Sequence, residues 1–248
     1  MASIESVDLV SVKTWAEAAL KSKGYQDKSL VLDLIEAFKL NVPNRIHRNK
    51  ISTMSNRMIH LLAAFRTIAS VDRLKLQIQD YGGGNGQTCD FLRDANPKYL
   101  INYTVYETTE IASGYNAHSK GLGINFLDIK NFGKEKCDLV IISCTLQYTK
   151  NYKEILEVSS KIAEHTLILR LPLTNSKMNN YYIQHNPSGT YSLSNANWPI
   201  TFFSKNLFLN EIEKNFKIVF HITDSEEDFV FKGSVFPMNT LLLTSKNR

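Results

Sequence analysis

The sequence has few of the residues that cross-link or interrupt a chain, with three cysteines and six prolines among 248 residues. Cys89, Cys137 and Cys144 are odd in number and lack the CxxC spacing of metal sites. We therefore expect a reducing compartment, without a disulfide framework or bound metal. No apolar run approaches about 18 residues, and the N-terminus has no signal-type apolar stretch, so we expect a cytoplasmic protein without a membrane span.

An excess of one charge is also lacking, since 29 basic and 24 acidic residues give a net charge of +5. The basic residues are scattered rather than gathered in a stripe, so we expect no nucleic-acid partner. The basic segment at residues 44–50 is expected to be a solvated loop between helices. A chain of this length can bury roughly 70% of its unfolded surface, so it needs no structural metal for stability.

The apolar pattern divides the chain into two parts. Up to residue 70, apolar residues recur every three or four positions and predict helices over residues 12–23, 28–40 and 56–69, the second ending before Pro43. This part is expected to form an N-terminal helical cap. From residue 71 to 248, short apolar runs alternate with helical windows, which is typical of parallel strands joined by crossover helices.

Seven strands are predicted in this second part, over residues 75–81, 103–107, 123–126, 138–143, 166–171, 217–222 and 240–244. Intervening helices are predicted over residues 87–94, 110–120, 152–163 and 204–214. The expected fold class is α/β, a doubly wound, Rossmann-like, mostly parallel sheet that binds ligands beyond the carboxyl ends of its strands. Residues 172–203 are rich in Asn, Tyr, Ser and Pro, and we expect an insertion of loops and short hairpins.

The most informative feature is a glycine-rich turn between a predicted strand and a predicted helix, with Gly82, Gly83, Gly84 and Gly86. Glycines let the backbone approach a ligand closely, and the helix N-terminus behind the turn offers unpaired N–H groups. Glu107 ends the next strand, where a carboxylate can accept hydrogen bonds from both hydroxyls of an adenosine ribose. The turn and the acid predict a cofactor that contains adenosine.

Two cofactor classes fit these features, and the glycine spacing helps to choose between them. A dinucleotide fingerprint needs its third glycine where this chain has Gln87. The spacing Gly82-x-Gly84-x-Gly86, with Asp80 two positions before the first glycine, resembles instead the first motif of class I S-adenosylmethionine-dependent methyltransferases. A nicotinamide-dependent oxidoreductase, a structural turn and a site that no longer works are the alternatives.

Three further segments carry a resemblance. Ser143, Leu146, Gln147 and Tyr148 form an S-x-x-L-Q-Y pattern that resembles the fourth methyltransferase motif. The second segment is residues 182–187, together with Tyr191 and residues 198–204. The third is residues 14–18, together with residues 24–25. From about residue 15 to 220, the chain resembles a family of methyltransferases found in bacterial polysaccharide and O-antigen gene clusters.

The resemblance implies S-adenosyl-L-methionine as cofactor, held by the glycine turn, Glu107 and Ser143. Asp80 would contact the methionine amino group, directly or through water, or would only hydrogen-bond the turn. Asp128 would bond the adenine amine, or would start a helix as an N-cap. The implied reaction is methylation of a hydroxyl, or an amine, of a sugar or saccharide-linked acceptor in surface polysaccharide biosynthesis.

Five residues are expected on the acceptor side: Gln147, Tyr148, Gln184, Tyr191 and Trp198. Aromatic rings can pack against the CH groups of a sugar, and amide groups around them can hydrogen-bond its hydroxyl groups. The first two could instead pack beneath a loop.

A hydroxyl acceptor also needs a general base, for which His185 in the polar insertion is the leading candidate. A solvated loop histidine is the competing interpretation of His185. Because no base is secure from the sequence, a noncatalytic partner that keeps the fold is a third functional class.

Overall fold

The computed structural model describes residues 8–47, 55–69, 74–185, 196–231 and 234–247. The strands in these ranges are Asp8–Val12 (β1), Lys75–Tyr81 (β2), Leu100–Glu107 (β3), Ile124–Asp128 (β4), Cys137–Ser143 (β5), Ala163–Thr174 (β6), Asn180–His185 (β7), Asn197–Ser204 (β8), Phe216–Phe231 (β9) and Ser234–Ser245 (β10). The α-helices are Trp15–Lys21 (α1), Lys28–His47 (α2), Asn56–Ile68 (α3), Gln87–Ala95 (α4), Thr109–His118 (α5), Tyr152–Ile162 (α6) and Lys205–Asn215 (α7).

The main sheet has the order β4-β3-β2-β5-β6-β10-β9, in which β10 runs antiparallel to both of its neighbours and the other pairings are parallel. All seven predicted strands are present, so the doubly wound α/β prediction is confirmed. The strand order reverses between β2 and β5, and the chain leaves these strands toward opposite sides. Such a reversal opens a crevice beyond the carboxyl ends of the two strands.

Helices cover both faces of this sheet. On one face, the strands share an apolar cluster with α2 and α3, which contribute Phe38, Val42 and Phe65. On the other face, α6 and α7 contribute Leu156, Phe208 and other buried residues to a second cluster. The helices α2 and α3 therefore complete the main core, because their apolar faces cover strands that begin after residue 74.

A smaller antiparallel layer has the order β1-β7-β8 and joins the main sheet where β8 pairs with the end of β6. The pairing of β7 with β8 confirms the hairpin expected in residues 172–203, of which residues 186–195 lie outside the described ranges. A strand at residues 8–12 was not predicted, and the helix expected from residue 12 begins at Trp15. The strand forms because Leu9 packs against Ile200 and Phe202 of β8.

The prediction that the second helix ends before Pro43 is wrong, because α2 continues to His47. Pro43 removes one helical hydrogen bond, but the helix is held on both sides of it. Phe38 and Val42 are buried before or beside the proline, and the Arg45 side chain is buried after it. Residues 44–47 are therefore helix rather than a solvated loop, and residues 48–50 lie outside the described ranges.

No helix among the described residues is long and apolar enough to cross a membrane.

Candidate functional site

The glycine turn lies between β2 and α4, at the reversal point of the sheet. Gly82 has a φ of +66°, and a Cβ there would collide with the Thr145 side chain, which follows β5. A Cβ at Gly83 would collide with the Asp80 carboxylate. Gly84 has a φ of +57° and open space where a Cβ would be. The glycines thus satisfy two close contacts within the protein and leave one bare stretch of backbone facing open space.

A cavity of about 610 Å³ opens at this turn. It is lined by the turn itself, by the ends of β2, β3 and β5, and by side chains from the N-terminal helices. Its walls include the following predicted site residues: Asp80, Gly82, Gly83, Gly84, Glu107, Ser143 and Tyr148. The structure therefore brings the two separate motifs around one cavity, which no side chain of the described residues fills.

Asp80 is fully buried at the end of β2 and lines the cavity. Its Oδ2 accepts a hydrogen bond of 2.6 Å from the Tyr103 hydroxyl, whereas its Oδ1 has no hydrogen-bond partner among the described residues. Burial raises the pKa of Asp80 to about 7, despite the opposing effects of the Tyr103 hydrogen bond and the Arg57 charge. The carboxyl group is thus held in a site that disfavours its charged form unless a cation joins it.

Glu107 ends β3 and faces the turn. Its Oε1 accepts a hydrogen bond of 2.8 Å from the Gly84 N–H, and its Oε2 accepts a longer one, 3.3 Å, from the Thr108 N–H. Burial raises the pKa of Glu107, and these two hydrogen bonds partly offset the rise. The carboxylate therefore fixes the turn and keeps further lone pairs for a ligand.

The turn after β5 forms the wall opposite the glycines. Thr145 Oγ1 donates to the Ser143 carbonyl at 2.9 Å and to the Gly82 carbonyl at 3.3 Å, which joins the two turns. Cys144 between them has a φ of +57°, the left-handed region that non-glycine residues rarely adopt. Ser143 Oγ is buried and has no hydrogen-bond partner among the described residues. This hydroxyl group is a second polar atom available at the cavity wall.

Gln147 and Tyr148 lie in the short helix Leu146–Tyr148 but have different surroundings. Gln147 is fully buried, and its Nε2 donates to the Arg170 carbonyl at 3.2 Å, so it braces the turn and does not line the cavity. Tyr148 does line the cavity, and its hydroxyl donates to Gln184 Oε1 at 2.7 Å. Burial raises the pKa of Tyr148 well above its ordinary value. This phenol is therefore a neutral hydrogen-bonding group at neutral pH.

A second cavity of about 680 Å³ lies beside the first and contains Asp128 in its wall. Asp128 caps the short helix Ile129–Asn131: its Oδ2 accepts from Thr109 Oγ1 at 2.6 Å and its Oδ1 from the Lys130 N–H at 2.9 Å. The Thr109 hydrogen bond, followed by that from Lys130, lowers the pKa of Asp128. Three residues line both cavities: Tyr25, Thr108 and Ile129.

The remaining predicted residues lie around β7 and β8. His185 ends β7 opposite Asp8 and Asn197, and it lines neither cavity. Trp198 pairs with Gln184 across the two strands, outside the residues that line the first cavity. Tyr191 lies outside the described residues. Gln184 thus contacts the cavity residue Tyr148 without lining the first cavity itself, and His185 lies apart from it.

Several cavity residues were not predicted as site residues, among them Tyr25 and Arg57. Tyr25 lies in the short helix Gly24–Gln26, and its ring centroid is 5.8 Å from that of Trp198. Desolvation raises the pKa of Tyr25, and nearby Cys144 and Glu107 add to the rise. Arg57 comes from the first turn of α3, and nothing in its local sequence marks it. The resemblance did contain a signal for Tyr25, in the segment of residues 24–25.

Among the described residues, no group of three or more His, Cys, Asp or Glu side chains could hold a metal ion. The described residues at the wall of the first cavity offer the carboxyl groups of Asp80 and Glu107, the guanidinium group of Arg57, and neutral hydroxyl groups.

Solved structures share this fold. The N-terminal domain of EvdMO1 with SAH bound has 7% sequence identity and a TM-score of 0.53, over 85% of this chain and 97% of that one. An S-adenosylmethionine-dependent methyltransferase from Clostridium acetobutylicum ATCC 824 has 11% identity and a TM-score of 0.49, over 78% and 92% of the two chains. The likeness to the EvdMO1 domain shows the fold, which is a Rossmann-like α/β fold.

The comparison with curated proteins gave no match. The family model described as "Methionine biosynthesis protein MetW" matches residues 63–216. This range runs from α3 to the first residue of β9 and includes the glycine turn, Glu107 and the turn after β5. Because the match covers more than half of the 248 residues, the chain belongs to the MetW family.

Proposed function

We propose that the chain is an S-adenosylmethionine-dependent methyltransferase. The observation that carries the proposal is Asp80 Oδ1, a buried carboxylate oxygen at the cavity wall without a hydrogen-bond partner among the described residues. A buried polar atom left in this way costs roughly 1–3 kcal/mol. A ligand ammonium group would supply the missing donor and the missing positive charge. The SAH bound to the EvdMO1 domain, which has the same fold, supports this proposal.

In this proposal, each chemical group of the cofactor is assigned to a residue at one of the two cavities. Asp80 would take the ammonium group of the methionine end, and Arg57, whose charge acts on Asp80, would take its carboxylate. Glu107 would accept from the ribose hydroxyls beside the bare glycine backbone. Asp128 in the second cavity would face the adenine amine with the oxygen lone pairs that Thr109 and Lys130 leave free. Ser143 would hydrogen-bond the cofactor from the opposite wall.

When bound, S-adenosylmethionine supplies a methyl group on a positively charged sulfur. The contribution of this chain is to align the acceptor with that group and to exclude water. Tyr25 and Tyr148 are suited to both tasks, because their rings wall the cavity and their phenols stay neutral.

For the acceptor, we propose a sugar or saccharide-linked compound of surface polysaccharide biosynthesis, made in the cytoplasm. The resemblance to methyltransferases of O-antigen gene clusters supports this choice, as does the aromatic pair of Tyr25 and Trp198 beside the amide group of Gln184. Tyr191 would extend this surface. Three free cysteines agree with a reducing compartment.

For a hydroxyl acceptor, His185 stays the predicted base. This role requires the acceptor to extend along β7, because His185 lines neither cavity. An amine that arrives deprotonated needs no base.

Isothermal titration calorimetry with S-adenosylmethionine and S-adenosylhomocysteine tests the cofactor proposal. We expect wild-type dissociation constants that are roughly micromolar, and losses of about tenfold or more in Asp80→Asn and Glu107→Gln, since each removes a charge from a polar contact. Glu154→Gln, on the exposed side of α6, is the matched control and should bind like the wild type. Absence of binding by the wild type, or equal binding by all four proteins, would overturn the proposal.

A further inference from the structure

An arginine from the N-terminal helices reaches the glycine turn from behind. Arg45 lies in α2, and its Nε donates to Asp90 Oδ2 of α4 at 2.7 Å. Its NH1 group donates to the Asn85 carbonyl oxygen, inside the turn, at 2.5 Å. The side chains of Arg45 and Asp90 are only 6% and 9% exposed. One guanidinium group thus joins α2, α4 and the turn within the protein interior.

The turn is therefore held from two sides. Glu107 accepts from the Gly84 N–H on the cavity side, and Arg45 occupies the next carbonyl oxygen, that of Asn85, on the far side. Gly84, between these two contacts, has a φ of +57° and open space where a Cβ would be. The Gly86 N–H donates to the Gly83 carbonyl oxygen across it at 3.1 Å. A glycine is conformationally free, so these two contacts act together with the hydrogen bond between Gly86 and Gly83 to select its conformation.

The ion pair is poorly explained by stability alone. A buried ion pair loses much of its hydration, and apolar residues of similar size often replace one without loss of stability. The forked guanidinium group does what an apolar pair could not, because it satisfies a carboxylate and a carbonyl oxygen together. The Arg45 side chain also stacks 5.7 Å above the Phe38 ring, which in turn stacks on Tyr115 of the cavity wall at 4.3 Å.

We propose that Arg45 is a positioning residue for the cofactor turn: through the Asn85 carbonyl it holds the Gly84–Gly86 backbone in the conformation that receives the ligand. This inference rests on the proposed cofactor function. It assigns the second helix a part in the site, although Arg45 does not touch the cavity.

Two variants separate positioning from folding. Arg45→Met/Asp90→Leu removes the ion pair without leaving a buried charge, so its unfolding midpoint in urea should stay close to that of the wild type. Arg45→Lys keeps the charge opposite Asp90, but a single ammonium group lacks the fork that bonds Asn85 as well. The matched control is Lys161→Met/Glu157→Leu, which removes an ion pair of similar length (2.6 Å) from the surface of α6.

Amide hydrogen exchange across residues 83–86 of the free protein is measured first, and calorimetry with S-adenosylhomocysteine second. We expect both Arg45 variants to exchange about tenfold faster at the turn and to bind about tenfold more weakly, as expected for one lost charged hydrogen bond. The control should change neither. Exchange and affinity that match the wild type would overturn the positioning role. If the wild type does not bind, the cofactor function fails, while the exchange rates still decide whether Arg45 holds the turn.

Discussion

The raised pKa of the buried Asp80 carboxyl group affects the stability of the protein as well as cofactor binding. Its pKa is raised from 3.8 to about 7, mainly by burial. Between these two values the folded protein keeps a proton on Asp80 that the unfolded chain releases. Stability from this group is therefore complete at low pH and is lost as the pH rises toward 7.

The magnitude follows from the size of the shift. A shift from 3.8 to about 7 is about 3 pKa units, and each unit corresponds to about 1.4 kcal/mol, so ionised Asp80 lowers the free energy of unfolding by about 4 kcal/mol at pH 8. In Asp80→Asn, the amide oxygen can still accept from the Tyr103 hydroxyl, and no charge is buried. We therefore expect the variant to be more stable than the wild type at pH 8, although it binds the cofactor poorly.

Urea denaturation of the free wild type and Asp80→Asn at several pH values between 5 and 8 measures this effect. The difference in free energy of unfolding should grow by roughly 2 to 3 kcal/mol across this range in favour of the variant. Glu154→Gln should show a constant difference, because its side chain is exposed. If the difference in free energy of unfolding between Asp80→Asn and the wild type is also constant, the effect assigned to the raised pKa of Asp80 is contradicted. An Asp80→Asn variant that is less stable than the wild type at pH 8 contradicts it as well.

Three other predictions concern the same site. Cofactor affinity should fall by about tenfold per pH unit below pH 7, because binding needs ionised Asp80. Calorimetry should show no such pH dependence of affinity for Asp80→Asn. A wild-type affinity that does not change with pH would contradict the raised pKa of Asp80. Trp198→Ala should raise the KM of a saccharide acceptor much more than that of the methyl donor, whereas equal changes in steady-state assays would indicate a folding role. Gly82→Ala should lower the free energy of unfolding by more than the roughly 1–2 kcal/mol of backbone strain, since its Cβ also collides with Thr145. Gly24→Ala is the control for strain alone, because Gly24 has a φ of +61° and open space where a Cβ would be. Equal losses of unfolding free energy in the two variants would exclude the collision.

The parts of the site that could be predicted are local in sequence. Asp80 and the glycines belong to one strand, turn and helix, and Glu107 ends the following strand, so spacing and strand order predict that they meet. Asp80 and Glu107 both line the cavity in the structure. Asp128 follows by the same rule, since β4 lies beside β3. A parallel sheet therefore makes the ends of neighbouring strands predictable from the order of short apolar runs.

The parts that could not be predicted depend on how distant elements pack. Arg45 looks solvated because it stands among other basic residues after a proline, and only the burial of Phe38 and Val42 shows that α2 continues. Arg57 has no local motif, and it lines the cavity because α3 packs against one face of the main sheet. Helical periodicity identifies an apolar face, but it does not say which polar residue at the edge of that face enters a site.

The central claim is that the cavity binds S-adenosylmethionine with its amino acid end at Asp80 and its ribose at Glu107. A crystal structure with S-adenosylhomocysteine tests this most directly. We expect the ligand ammonium nitrogen within about 3 Å of Asp80 Oδ1 and a ribose hydroxyl at the same distance from the Glu107 carboxylate. A ligand bound elsewhere, or one whose amino group has no contact with Asp80, would contradict it.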